Sequence, residues 1–160
     1  MKPLEIVKYP DIQLRNRCKE LVEVTKKHLN IFKQMLFTMR NFSGIGLAAP
    51  QVGVFERLIV ADIGKGQVIS LANPKIISLS ENIDSMVEGC LSVENISVKI
   101  KRPLNVIVKG LNEKGKMVEI KAEGLTARVL QHEIDHLNGK LIIDYLSLLD
   151  KLRLNVRKGL

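Results

Sequence analysis

Leu104-Asn-Val-Ile-Val108, Asn112-Glu-Lys-Gly115 and Met117-Val-Glu-Ile120, followed by the run Leu125–Asn138, decide the fold. The first and third pieces are short and β-branched, as strands are, and a turn-prone tetrapeptide separates them. They predict a hairpin and therefore antiparallel pairing. The fourth piece predicts a helix from near Leu125-Thr126 to Asn138, with Gly139 well placed as the residue that closes it. Upstream, Arg57-Leu-Ile-Val-Ala61, Val68-Ile-Ser-Leu71 and Ile76-Ile-Ser-Leu79 also read as strands, punctuated by Gly64-Lys-Gly66, Asn73-Pro74 and Arg102-Pro103. Before them, Thr25 can cap a helix in which Leu29, Phe32, Met35, Leu36 and Met39 recur at three- and four-residue steps, ending near Arg40. Helix, many strands, then helix is an α+β order and not the alternation of a parallel βαβ fold. Neither repeat nor linker interrupts it, so residues 1–160 are expected to form one domain.

Composition narrows the function. Hydrophobic residues are 46% of the 160, enough for a core without disulfides, and aromatics only 4%, so that core should be aliphatic. The formal charge of +8 favours polyanionic partners, yet Lys26-Lys27 and Lys99-Ile-Lys-Arg102 lack interleaved aromatics. They read as solvated basic surface, and no DNA partner is expected. Two cysteines, Cys18 and Cys90, make no disulfide framework. The opening Met1–Asp11 has no apolar run of signal-peptide type, and no stretch approaches the roughly 20 apolar residues of a membrane span. The expected address is cytoplasmic, away from membranes.

The chemistry is concentrated in His132-Glu-Ile-Asp-His136. Four residues make about one helical turn, so both imidazoles leave the same face and can hold one metal ion. Glu133 is displaced around the helix, where it can reach a water on that metal without being a ligand. Metal-assisted hydrolysis of a carbonyl needs that arrangement, with three protein ligands and one open position. The third ligand is not supplied downstream by known patterns: where an HExxHxxGxxH motif would place a histidine stands Ile142, and no glutamate follows Glu133. Asp144 and Asp150 have no motif around them, and His28 reads as a surface residue of the first helix. Cys90, in the small turn Glu88-Gly-Cys-Leu-Ser92, is the best upstream candidate, although a free cysteine is more often a buried hydrophobe. A closed structural site of Cys18, Cys90, His132 and His136 stands as the non-enzymatic alternative, and a different metal hydrolase as a second one.

A third block, Gly44-Ile-Gly-Leu-Ala-Ala-Pro-Gln51, is weak alone, since no phosphate-binding Lys-Ser/Thr follows it. Taken in order and spacing, Gly44–Gln51, Glu88–Ser92 and Gln131–Gly139 resemble the three signature motifs of peptide deformylases. The likeness extends to Val7-Lys-Tyr-Pro-Asp11, Asn73-Pro74 and Arg102, and so covers nearly the whole chain. It implies antiparallel sheets packed around the helix that bears the histidines, and removal of the formyl group from formyl-methionyl nascent peptides. It further implies Cys90, His132 and His136 as ligands of ferrous iron, with zinc, nickel or cobalt able to replace it. Glu133 is then the general acid/base, with Gln51 and the Leu91 N–H as the oxyanion hole. Ile45, Gly46, Glu88, Gly89, Leu125 and Val129 become substrate contacts, the first and last two lining an apolar methionine pocket. Two departures stand out: Glu94 replaces the proline usual after Cys-Leu-Ser-Val, and Arg128 is expected at the pocket rim. The basic tail Lys151–Lys158 is expected to bring the enzyme to the ribosome.

Overall fold

A computed structural model describes residues 1–158 except Lys65; the side chains of 155–158 lie outside the description. Lys65 of the expected glycine turn and the side chains at the end of the basic tail therefore fall outside the description. The strands are β1 (Gly46–Ala48), β2 (Leu58–Asp62), β3 (Val68–Leu79), β4 (Ile83–Cys90), β5 (Val93–Pro103), β6 (Asn105–Leu111) and β7 (Met117–Glu123). The helices are α1 (Lys26–Asn41), α2 (Gly124–Leu137) and α3 (Leu148–Lys158), joined by short 3-10 turns. One antiparallel sheet has the order β1-β2-β3-β6-β7, and β4 and β5 form a separate two-stranded ribbon. The architecture is α+β, with antiparallel sheets packed around the helix that carries the two histidines.

The expected hairpin is β6–β7, with Leu111 opposite Met117. Its turn closes on Asn112, whose Oδ1 accepts from the Lys114 and Lys116 amides, while Gly115 takes φ +69°. β2 is apolar from Leu58 to Ala61 because that stretch is buried on both faces. Ile59 and Ala61 pack with Leu130, Ile134 and Leu137 of α2, whereas Leu58 and Val60 pack with Phe32, Met35 and Met39 of α1. Ala127, Leu130, Ile134 and Leu137 recur at helical spacing, so one face of α2 is fixed on the sheet. The opposite stripe, with both histidines, is turned toward the ribbon. Phe32 is the only aromatic among the described buried residues, and the core is aliphatic as composition requires. Gly139 ends α2 at φ +74°, and a side chain there would also strike the Arg15 backbone.

Three expectations change. Val68–Leu71 and Ile76–Leu79 are one strand, not two. Asn73 sits at φ +50° between them and makes a bulge, because its side chain binds the Leu21 amide and carbonyl, both at 2.8 Å. Residues 83–90, between the polar stretch and the turn that remains at Leu91-Ser92, form β4, whose pattern is mostly exposed and so lacks a strand's apolar alternation. His28 is buried, not superficial: its Nδ1 accepts the Thr25 amide at 2.9 Å and its Nε2 lies 3.4 Å from Glu56. In the tail, Lys151 donates to the Asp144 carbonyl and Arg153 pairs with Asp150. Among the described residues no helix is long and apolar enough to cross a membrane.

Candidate active site

The site lies where three segments meet. Helix α2 contributes His132, Glu133 and His136, the end of β4 contributes Cys90, and β1 with the turn after it contributes Gly46 and Gln51. Between them opens a cleft of about 460 Å³. Cys90 Sγ lies 3.2 Å from His136 Nε2, which lies 3.2 Å from His132 Nε2, and the three ligand atoms all fall within 4.8 Å of one another. Bond lengths of about 2.0–2.3 Å in a tetrahedral centre place such atoms about 3.3–3.6 Å apart, close to the two 3.2 Å edges. Softness also suits the set, a sulfur with two imidazole nitrogens being the donors that late divalent ions prefer. Cys18 is buried elsewhere, in the core beneath α2, where burial pushes its thiol up to about 11. The four-ligand structural site is therefore not assembled. Asp144 is held by Arg15 at 2.5 and 3.0 Å and Asp150 by Ser147 and Arg153, so neither joins the triplet.

Charge around the triplet is ordered. His132 Nδ1 stands 2.9 Å from Glu88 Oε2, which fixes the ring and turns Nε2 to the centre. Burial opposes ionisation of Glu88, but hydrogen bonds from His132 and Arg102 outweigh it and hold the carboxyl down at about 2. Burial alone would depress His132, yet its partners Cys90 and Glu88 raise it, while burial and its neighbour push His136 well below its usual range. The two imidazoles thus differ: Glu88 and Cys90 favour charge on His132, whereas burial keeps His136 neutral, with a lone pair to donate.

Glu133 has the opposite surroundings. It is 3% exposed, its Oε2 has no hydrogen-bond partner among the described residues, and burial pushes the carboxyl up to about 7. A buried carboxylate oxygen with nothing to accept is rare and costly, so it marks a place where a water or a reacting group belongs. Gly46 makes room for it: a Cβ there would sit 2.7 Å from Val129 Cγ1 and 2.9 Å from Glu133 Cδ. The absent side chain therefore leaves room for the Glu133 carboxylate. Gln51 is 2% exposed, and its Oε1 accepts the Ala48 amide at 2.8 Å, which orients the side chain. Its Nε2 then points past Ser92 Oγ at 3.2 Å toward Cys90 Sγ at 3.5 Å. Leu91, Gly89, Ile45, Leu125 and Val129 all border the cleft; Ile45 and Leu125 are exposed at its mouth and Val129 is buried.

Two residues take unforeseen positions. Glu88 borders the cleft, but its carboxylate is engaged by Arg102 at 2.6 and 3.0 Å, Arg128 at 2.7 Å and His132. Arg128 is 5% exposed and lies beneath the cleft, not at its rim. Arg102 also reaches Asp135 at 2.9 Å and the Tyr145 hydroxyl at 3.2 Å. The signal was present: Arg128, His132 and Asp135 lie four and three residues apart, one stripe of α2 that alternates opposite charges and so can share partners. The opening segment straps the same region, with the Val7 amide donating to the Gln51 carbonyl, Tyr9 to Ser92 and Lys8 Nζ to Leu91, each at 2.8 Å. Glu94, in place of the usual proline, pairs with Lys8 at 2.7 Å.

Two histidines of one helix and a cysteine of a neighbouring ribbon, converging beside a buried carboxylate, define a class of helix-borne HExxH metallohydrolase. Residues 3–152 match the family described as polypeptide deformylase. A relative from Halothermothrix orenii, named peptide deformylase, is 53% identical over 145 residues, 90% of this chain and 94% of the relative. Another from Hydrogenovibrio crunogenus is 48% identical, covering 96% of this chain and 91% of its own length. The crystal structure of peptide deformylase from Ehrlichia chaffeensis in complex with actinonin superimposes with a TM-score of 0.93 at 37% identity, covering 99% and 98% of the two chains. That from Thermotoga maritima gives 0.88 at 40% identity, covering 92% and 99%. The chain belongs to the peptide deformylase family, enzymes that remove N-formyl groups from nascent polypeptides.

Proposed function

We propose that the whole chain is one catalytic domain in which Cys90, His132 and His136 hold a divalent ion, ferrous iron in the cell, beside Glu133 as the proton carrier. The observation that carries this is the unpartnered, buried Glu133 Oε2 next to the convergent triplet. A bound ion would supply Lewis-acid polarisation and lower the pKa of a water. Two neutral imidazoles and a thiolate leave a divalent ion with a net charge of +1, so that water is less acidified than in a three-histidine site, and Glu133 matters more as the base. Glu133 takes the proton from the water as its oxygen attacks the formyl carbon. The C–N bond then breaks, formate leaves, and Glu133 passes the proton to the departing amine. Gln51 Nε2–H and the Leu91 N–H donate to the oxyanion that develops on the formyl oxygen. The Gly44–Gly46 backbone pairs with the peptide as an added strand, Gly89 and Glu88 border it, and Ile45, Leu125 and Val129 receive the methionine side chain. Zinc, nickel or cobalt can take the same donors in purified protein.

The same reading places the enzyme in the cytoplasm, with formyl-methionyl nascent chains as substrate and the ribosome as a partner of the basic tail. Neither DNA nor a membrane is needed. The test is formate release from a formyl-methionyl peptide by anaerobically prepared, iron-loaded protein. No release with iron, cobalt, nickel or zinc would overturn the assignment.

A further inference from the structure

We infer that Arg128 is a positioning residue, acting through Glu88 to aim His132 and to set the ribbon that carries Cys90 against α2. This rests on the proposal that His132 and Cys90 hold the metal. Arg128 lies one turn before His132 on α2, so its guanidinium reaches the same region beneath the cleft. Its Nη1 donates to Glu88 Oε1 at 2.7 Å and to the Ile100 carbonyl at 3.0 Å, and its Nη2 donates to the Asp84 carbonyl at 2.9 Å.

Each contact has a purpose in the geometry. The Glu88 carboxylate receives four donors, two on each oxygen: Arg128 and Arg102 Nε on Oε1, Arg102 Nη2 and His132 on Oε2. A carboxylate held by Arg102 alone can still tilt out of the guanidinium plane. The second arginine meets it from α2 and fixes the tilt, and Oε2 is what points the His132 ring. Asp84 belongs to β4 and Ile100 to β5, so the remaining two bonds lock both ribbon strands to the helix. The ribbon is a separate sheet and shares no ladder with the five-stranded one, so side-chain bonds such as these, with Arg102–Asp135 and Gln131–Pro103, hold it to α2. A buried guanidinium is costly unless its donors are used, and the planar fork serves all three acceptors at once. A lysine ammonium would reach Glu88 but could not span both carbonyls.

The test is a double-mutant cycle read by Co²⁺ affinity, from chelator competition, and by the visible absorption of the Co²⁺ protein. Arg128→Met should weaken Co²⁺ binding about 10-fold or more and shift the visible band, as losing a partner behind a metal ligand does. Glu88→Gln should weaken it at least as much, and Arg128→Met should add little in the Glu88→Gln background. Arg128→Lys should lose less than Arg128→Met, and the same cycle can be closed with it where the methionine variant does not fold. A merely structural arginine would lower the melting temperature while leaving Co²⁺ affinity and spectrum alone, or would add its full effect to that of Glu88→Gln. Either result overturns the inference. His132→Ala separates the two levels: if it keeps Co²⁺, the proposed metal site fails, whereas loss of Co²⁺ there with retention in Arg128→Met refutes the role of Arg128 alone.

Discussion

Gly46→Ala adds one methyl group to the wall behind Glu133, and the structure sets what it should cost. The new Cβ would lie 2.7 Å from Val129 Cγ1 and 2.9 Å from Glu133 Cδ, with Oε1 nearer still. Relaxed contacts between such atoms are about 3.5–4.0 Å, so something must retreat by roughly 1 Å. β1 cannot, because Gly46, Leu47 and Ala48 are paired with Ala61, Val60 and Ile59. Val129 is buried on the helix that forms the core, so the Glu133 carboxylate yields first. Misplacing a reacting group by about 1 Å costs on the order of 10²-fold in rate, and overpacking a full site costs about 1–3 kcal/mol in stability. The assay is steady-state deformylation of a formyl-methionyl peptide with thermal melting and metal analysis on the same preparation. The expected result is kcat down about 10²-fold, a melting point a few degrees lower, and unchanged metal content. A kcat within about threefold of the unmodified enzyme would refute the claim that this glycine exists to accommodate Glu133.

Glu133→Gln keeps the shape and removes the base, so turnover should fall by about 10² or more while metal content stays; loss of metal would make Glu133 a ligand or its indispensable anchor. The base works deprotonated, so activity should fall as pH drops; burial, partly offset by His132, raises the carboxyl to about 7 and a bound cation moves it lower, and a profile that rises toward acid contradicts the assignment. Cys90→Ser exchanges a thiolate for a hydroxyl that stays protonated, and should lose both metal and activity, whereas Cys18→Ser should lose neither. Equal metal loss in both variants would mean a closed structural site. Removing residues 151–160 should weaken co-sedimentation with ribosomes, as should added salt; binding indifferent to the truncation would dismiss the tail.

The parts of the fold legible in the sequence were those whose pattern has one physical cause. Helix α2 announced itself by apolar spacing and Gly139, and β6–β7 by two strands around Asn112–Gly115. Two histidines four apart could face one ion only on a helix, so spacing conveyed that geometry. Elements whose cause lies elsewhere in the chain were not legible. Asn73-Pro74 reads equally as a turn or a bulge, and the choice is made by Leu21, 52 residues away. β4 exposes most of its length and so shows no alternation. His28 was expected at the surface and Arg128 at the pocket rim, yet each is buried against a charge from a distant strand or turn: Glu56 for one, Glu88 for the other.

Nine of the fourteen residues of α2 are buried, and the strands it rests on carry the core. The turn that carries both histidines is therefore part of the last structure to come apart. Its backbone amides should exchange with deuterium only through global opening, on the slowest timescale of the molecule. β4, exposed on most of its length and paired along one edge only, should exchange much sooner. Heat or denaturant would then leave no intermediate in which the histidines are displaced and the fold survives. The two nitrogen donors would disappear at the same denaturant concentration as the protein itself, while the sulfur arm could loosen before them.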